Sequence, residues 1–497
     1  MMGEGNGLPE LPQGWVWTSL GGITEPSKEK VNPQEIQKMP YIGLEHIEKD
    51  TGRLLDFGYS DEVRSTKAVF HRGDLLYGKL RPYLNKVHIA DFDGVCSTDI
   101  LVFPKSPYVS NRYLLYRLLS GDFVRYANLN VSGVQHPRAN FKTLSQFPVA
   151  LPPSAEQQRI VARIEELFTQ LDAGVAALEQ AQAQLRRYRQ AVLKAAVEGE
   201  LTREWRELHQ GELEPASALL ERILEERRAR WEAEHPGKQY KPPVPSDTDD
   251  LPRLPEGWVW VTLPQLGELN RGKSKHRPRN DPKLYGGPYP FIQTGDVRHA
   301  NGVIRQHSQT YSEEGLKQSR LWPADTLCIT IAANIAETAI LGFESCFPDS
   351  IVGFLTEPSH CDVRFVEFFF RTAKDDIERY APATAQKNIN LRILSSLAIP
   401  FPPLDEQHAI VDEVEQRLSV IDEMEKAVEQ SLKGAERLRQ AVLKRAFEGK
   451  LVPQEPGDEP ASALLARIQA EKARREAERK ARKRSRKKKS APQLELL

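Results

Sequence analysis

The chain has no sulfur framework. Its four cysteines, Cys96, Cys328, Cys346 and Cys361, are scattered through 497 residues without a C-x-x-C pair. That spacing excludes a structural zinc ribbon and a disulfide scaffold, and leaves buried free thiols. Long apolar runs are missing too. Nothing approaches the ~18 residues that a membrane span needs, and the opening "MMGEGNGLPELPQGW" lacks the basic and apolar regions of a secretory signal. The expectation is a cytoplasmic protein with no membrane partner. Catalytic signatures are also lacking. There is no "NPPY" methyltransferase motif, no glycine-rich S-adenosylmethionine loop after a strand, no H-E-x-x-H and no nuclease carboxylate cluster. Neither catalytic nor metal-ligating residues are therefore assigned.

Net charge is absent as well, with 69 Lys+Arg against 69 Asp+Glu, but the neutrality is uneven. "EKARREAERKARKRSRKKKS", residues 471–490, holds twelve Lys/Arg and three Glu, a local +9 that the remainder must balance. Such a tail suits phosphate backbones; a solvated, frayed helix end is the plainer alternative.

What is present is a repeat. "LPQGWVWTSL" (11–20) returns as "LPEGWVWVTL" (254–263), and "LPPSAEQQRIVARIEELF" (151–168) as "FPPLDEQHAIVDEVEQRL" (401–418). "RQAVLKAAVEGEL" (189–201) returns as "RQAVLKRAFEGKL" (439–451), and "EPASALLERI" (214–223) as "EPASALLARI" (459–468). Four collinear matches exclude chance and make the chain a duplication. In each copy, short apolar runs such as "DLLYGKL", "DILVF", "TLCITIAA" and "SIVGFL" read as strands, and "YLLYRLLSGDFVRYA" and "RFVEFFFRTAKDDIERYA" as helices. The fold class is α+β (mixed α/β). Its expected parts are two globular domains, 11–153 and 254–403, helical spacers at 154–234 and 404–468, a Pro-rich linker at 235–253, and the basic tail, 469–497.

Each spacer starts after Pro-Pro. Ile160, Ile164, Leu167, Leu171, Gly174, Leu178, Ala181, Leu185, Tyr188 and Val192 step by four and three, a heptad seam. The second copy runs Ile410, Val414, Ile421, Met424, Val428, Ala435, Leu438 and Val442, interrupted by Arg417 and Ser431. Rods with one narrow apolar stripe need a partner, and the two copies are expected to pair as an antiparallel coiled coil.

"GELNRGKS" (267–274) matches the P-loop pattern letter for letter. A working P-loop opens a helix whose N-terminus holds phosphate. Here Pro278 and Pro282 follow, and the matching stretch of the first copy, "GGITEPSKEK", has no Gly-Lys-Ser. A P-loop NTPase is thus disfavoured. The same stretch does offer charge: Arg271, Lys273, Lys275, His276, Arg277 and Arg279 form a basic loop fit to contact phosphate, with a merely solvated loop as the alternative.

Two mixed domains opened by "LP-x-GWVW", each leading into a helix opened by "PP-x-x-EQ-x-x-I", resemble the specificity (S) subunit of type I restriction-modification systems. "GKLRPYLNKV" (78–87) is similar to a segment recurring in that family's target-recognition domains. The resemblance implies that each domain reads one half of a split double-stranded DNA site. It implies that the helices set the gap and dock two modification subunits, through positions such as Ile160, Ile164, Leu171, Leu178, Leu185, Ile410, Val414, Ile421, Val428 and Leu438. Restriction subunits complete the complex. The chain itself would hold no cofactor; S-adenosylmethionine, ATP and Mg would belong to the partners.

Reading bases requires side chains that reach base edges, Arg or Lys to guanine and Asn or Gln to adenine. The candidates in the first domain are Lys79, Arg81, Tyr83, Asn85 and Lys86, then Gln135, His136, Arg138, Asn140 and Lys142. In the second they are the basic loop and Gln386, Lys387, Asn388 and Asn390. Asn140 and Asn390 suit helix caps or turns equally well. A coiled-coil DNA scaffold that reads no sequence is the remaining alternative.

Overall fold

The computed structural model describes residues 8–133, 135–249, 251–276, 278–332, 336–373 and 390–489; the side chains of residues 479 and 482–489 are not described. The chain divides into two compact units. One comprises Met1–Glu179 with Glu429–Leu497, the other Gln180–Val428. Each therefore contains one globular domain, the start of its own long helix and the end of the other copy's.

The two long helices span Ser154–Val197 and Leu404–Phe447, 44 residues each, or about 66 Å of rise. In the first unit Ile160, Ile164 and Phe168 share a core with Leu443, Ala446 and Phe447. In the second, Ile410, Val411 and Val414 share one with Val192, Leu193, Ala196 and Val197. Within each unit the start of one helix thus meets the end of the other, an antiparallel arrangement. Ion pairs repeat it: Arg439 bonds Asp172 in the first unit, and Arg189 reaches Asp422 and, at 3.0 Å, Glu425 in the second.

The buried stripe differs from the expected seam by one residue. Beyond Ile164 it takes an extra step of four, to Phe168 rather than Leu167, and then runs through Leu171, Val175, Leu178, Leu185 and Arg189. The second helix does the same, through Leu418, Ile421, Glu425, Val428, Leu432, Ala435 and Arg439. Gly174 is exposed, as are Tyr188 (49 %), Met424 (50 %) and Leu438 (56 %). The cause is geometric. A straight helix has 3.6 residues per turn and drifts from a heptad, and one four-residue step corrects the drift.

The repeated phrases form one junction in each unit. The Trp15 indole donates to Glu156 (2.9 Å), to which Gln454 also donates (3.1 Å). In the other unit Trp258 donates to Glu406 (2.8 Å), which also accepts from Thr202 (2.8 Å) and Arg206 (2.9 Å). The Gln of each "EQ" accepts the backbone N–H of the residue just before a domain helix (Asn111–Leu119 or Val363–Ala373): Ser110 to Gln157 at 3.1 Å, Asp362 to Gln407 at 2.9 Å. Gly199 and Gly449 of "EG-x-L" turn at φ +72° and +67°, pressed against Pro255 and Pro12 of "LP-x-GW". A larger residue would be strained there in conformation and in space. So "GW", "EQ" and "EG-x-L" are structural motifs that clamp a domain between two helices.

The domains themselves are largely antiparallel. The first carries a five-stranded sheet, in the order Lys30–Val31, Lys67–Phe70, Gly94–Cys96, Pro40–Ile42, Gly58–Tyr59. Beside it in sequence is a three-stranded sheet of Val87–Ile89, Leu75–Gly78 and Ile100–Phe103. The second carries Glu268–Arg271, Ile351–Leu355, Leu327–Thr330, Thr338–Leu341 and Val303–Ile304. All four cysteines are free and buried.

Candidate nucleic-acid interface

In the first domain the fold gathers two sequence-distant sets. The loop after strand Leu75–Gly78 and the hairpin Val131–Ser132/Arg138–Ala139 are joined by backbone bonds, Arg81 N–H to Pro137 O (2.7 Å) and Ala139 N–H to Lys79 O (2.9 Å). Arg138 forks onto Asp99 at 3.1 and 3.3 Å, and Lys79 lies 3.9 Å from the same carboxylate. Arg81, Tyr83, Gln135, His136 and Arg138 are exposed on this surface. Arg81 has φ +51° and leads into Pro82. Such backbone in a residue with a Cβ is costly, and directs its side chain outward from a fixed turn.

Asn85 and Lys86 are turned inward instead. Asn85 is 1 % exposed at φ +40°, where its N–H closes the turn onto Pro82 O (2.9 Å). The Lys86 ammonium donates to Leu44 O at 2.6 Å. Asn140 and Asn390 cap helices, accepting from Lys142 N–H (3.0 Å) and Ile393 N–H (3.1 Å). Lys142 remains exposed.

In the second domain "GKS" opens no helix. Strand Glu268–Arg271 runs out, Gly272 lies tight against the carbonyls of Phe347 and Pro348, and Ser274 is buried. The next regular element among the described residues is the single turn Pro282–Leu284. This geometry offers no phosphate cradle. Part of the basic loop is already neutralised: Arg279 forks onto Asp349 (2.9 and 3.0 Å), and His276 meets Asp281 at 3.0 Å. Arg271, Lys273 and Lys275 stay exposed. Arg277, Gln386, Lys387 and Asn388 lie outside the described residues.

A segment that sequence reading passed over emerges from the repeat. Strands Leu75–Gly78 and Val87–Ile89 correspond to Leu327–Thr330 and Thr338–Leu341, and both turns carry a left-handed residue, Asn85 (φ +40°) and Ala336 (φ +61°). The turn "KLRPYLN" (79–85) is therefore matched by the shorter "IAANIA" (331–336), of which residues 333–335 lie outside the described residues. Thr330 takes the place of Gly78 and Glu337 that of Lys86, each pair closed by the same backbone bond, Gly78 N–H to Lys86 O (2.8 Å) and Thr330 N–H to Glu337 O (2.9 Å). Aligning "GDLLYGKL" (73–80) with "DTLCITIA" (325–332) would have revealed it.

Beside this second turn is a polar cavity of about 340 Å³, lined by Arg298, His299, Asn301, Glu337, Glu367 and Arg371. Glu367 is buried 3.8 Å from Arg371, and burial pushes its carboxyl up to about 7. In the first unit the corresponding helix places Leu115 and Leu119 against Gly52, whereas Arg371 neighbours Gly302 here. Because the folded state binds this proton more tightly, its stabilising contribution is complete below 4.5, the usual carboxyl value, and is lost as pH rises through about 7. Melting from about pH 5 to pH 8 is expected to show this loss, and Glu367→Gln to flatten it. An unchanged slope would mean that Glu367 is ionised throughout.

Among the described residues no helix is long and apolar enough to cross a membrane, and no cluster of His, Cys, Asp and Glu could hold a metal. Residues 12–182 and 255–433 each match the type I restriction modification DNA specificity domain. The chain belongs to that family. It is 35 % identical over 228 residues to the type I restriction enzyme EcoDI specificity subunit of Escherichia coli, a match spanning 45 % of this chain and about half (51 %) of that one. It is 24 % identical over 507 residues to the EcoKI specificity subunit of E. coli K12, covering 93 % and 97 % of the two chains. The family's fold recurs in the HsdS subunit of Thermoanaerobacter tengcongensis, with a TM-score of 0.52 at 20 % identity over 89 % of this chain and 99 % of that one. It also recurs in a chain solved in work on complex assembly and conformational transition of the type I R-M system. There the TM-score is 0.67 at 20 % identity, over 89 % and 100 %.

Proposed function

We propose that the chain is the non-catalytic DNA-reading subunit of a type I restriction-modification complex, with residues 11–153 and 254–403 each reading one half of a bipartite site. The observation carrying this is the pair of matched turns. The hairpin that carries Lys79 and Arg81 in one domain recurs in the other one residue shorter and without Lys or Arg, each with a left-handed residue just before its second strand. One hairpin carrying two turns, different in length and in side chains, is what two different half-sequences require. Lys79, Arg81, Tyr83, Gln135, His136 and Arg138 are the reading set of the first domain; Arg271, Lys273 and Lys275 contact phosphate in the second.

The helical parts, 154–234 and 404–468, set the gap between half-sites and dock two modification subunits, with 235–253 as the linker. Ile160, Ile164, Ile410, Val414 and Ile421 are buried within the units, so they serve folding. Docking falls to the apolar side chains left outside, among them Tyr188, Val420, Met424 and Leu438. The partners supply S-adenosylmethionine chemistry and, in the restriction subunits, ATP-driven work.

Domain exchange tests the reading. Replacing 11–153 by the corresponding domain of a relative is expected to change one half of the methylated site and leave the other intact. Mapping methylated adenines in a host with each version checks this. A change in both halves, or in neither, would sink independent reading.

A further inference from the structure

The helix Ala461–Lys489 is the last element among the described residues, and the repeat explains only its first part. Ala461, Leu464 and Ile468 are buried in the first unit, as Ala216, Leu219 and Ile223 of the helix Ala216–Glu234 are in the second. The next position on that face matches too. Lys472 donates to Gly21 O, and Arg227 donates to Gly267 O at 3.1 Å. The correspondence places Glu234, where the shorter helix stops, opposite residue 479. Residues 480–489 have no counterpart in the other copy.

Those ten residues are chemically one-sided. Eight are Lys or Arg and none is acidic. Just before them the charges cancel locally: Glu471 pairs with Arg474 at 2.8 Å and with Arg475 at 2.9 Å. From Lys483 to Lys489 the sequence has no acidic residue three or four positions earlier in the helix to pair with. At ~100° per residue, eight basic positions out of ten surround the axis rather than forming a face. Ala481 and Ser485 are the only uncharged residues, so there is no apolar stripe for a protein groove or a lipid surface. Nor is there any Asn or Gln to read adenine. Charge on all sides, with neither an apolar stripe nor an amide, suits one partner, a polyanion whose phosphates surround the helix.

We infer that residues 480–489 form a sequence-independent clamp on the phosphate backbone of double-stranded DNA, held out from the first unit by the docked turns of the same helix. The inference rests on the DNA reading proposed above. It adds a contact that strengthens binding to any duplex and leaves the half-site preference untouched.

The test uses the full chain and a variant in which the eight Lys and Arg of 480–489 are replaced by Gln, which keeps length and helix propensity. Affinities are measured from about 50 to 300 mM salt for two duplexes of equal length. One is selected by the wild-type chain from a random pool, and the other is scrambled. Each phosphate contact contributes about 0.9 to the slope of log K against log salt, so four engaged charges would remove roughly 3.6. The expected result is that loss on both duplexes, an equal fold-weakening of both, and an unchanged ratio between them. An unchanged slope on both duplexes overturns the clamp and points to an acidic protein surface as the tail's partner. A changed ratio overturns its sequence independence. If the wild-type chain selects no duplex, half-site reading fails, while the slope on scrambled DNA still decides the tail.

Discussion

Glu406→Ala is expected to unfold the second unit under conditions where the wild-type unit is stable. The carboxylate is fully buried and accepts from the Trp258 indole, the Thr202 hydroxyl and the Arg206 guanidinium, at 2.8, 2.8 and 2.9 Å. Removing it leaves three donors without an acceptor, one of them a largely buried cation. Breaking a buried ion pair from one side costs roughly 3–5 kcal/mol, a large share of a domain's stability. Glu156 gives the contrast. It accepts from Trp15 and Gln454, both neutral, and burial raises its carboxyl above the usual value. Glu156→Gln is therefore expected to cost on the order of 1 kcal/mol, the scale of a neutral hydrogen bond. Denaturant melts followed by amide exchange would check both, with protection lost within 180–428 for Glu406→Ala. Equal costs for the two variants would mean that Arg206 contributes nothing.

These junctions show why the architecture was legible before any coordinates. The Trp of "GW" bonds the Glu of "EQ" and abuts the Gly of "EG-x-L", so the same constraint is written into both copies at nearly constant spacing. Repetition made the constraint visible, although not its content, because a Trp–Glu bond across 141 residues leaves no periodic trace. The heptad reading failed by one residue for a physical reason. Leucines at 167 and 438 fit a strict four-three count, but a 3.6-residue helix places Phe168 and Arg439 on the buried stripe. Arg439 could not have been read as a stripe residue from hydropathy. It is held there by Asp172 and by the Phe168 ring, whose centroid lies 4.3 Å from the guanidinium carbon.

The candidate interface was legible in composition and illegible in orientation. "KLRPYLNK" and "QHPRANFK" stood out as polar and basic, and backbone bonds bring them together. Which members face outward depends on φ at Arg81 and Asn85, and residue type does not determine that. Asn85 and Lys86 are the right chemical types for reading bases, yet the turn faces them inward. The matching turn at 331–336 escaped because it contains no Lys or Arg.

Lengthening both long helices by one heptad is expected to lengthen the gap between half-sites and leave the half-sites unchanged. Seven residues inserted after Ala181, and seven after its repeat counterpart Ser431, preserve the apolar stripe because they add two nearly complete turns. Each helix gains about 10 Å, close to three base pairs of rise. Matching insertions matter, because a helix lengthened alone would shift its stripe against the other's and leave Arg189 and Arg439 facing the wrong carboxylates. Rotation sets the limit. Three base pairs turn the second half-site by roughly 100°, since one DNA turn takes 10–10.5 base pairs, while a heptad rotates a helix position by only ~20°. The variant is therefore expected to bind its lengthened site more weakly than the wild type binds its own, and to strain the DNA between the half-sites. Methylation of plasmids carrying graded gaps reads both effects, as a shifted optimum and a lower yield at that optimum. A variant that folds and keeps the original gap at full yield would show that these helices do not measure the site.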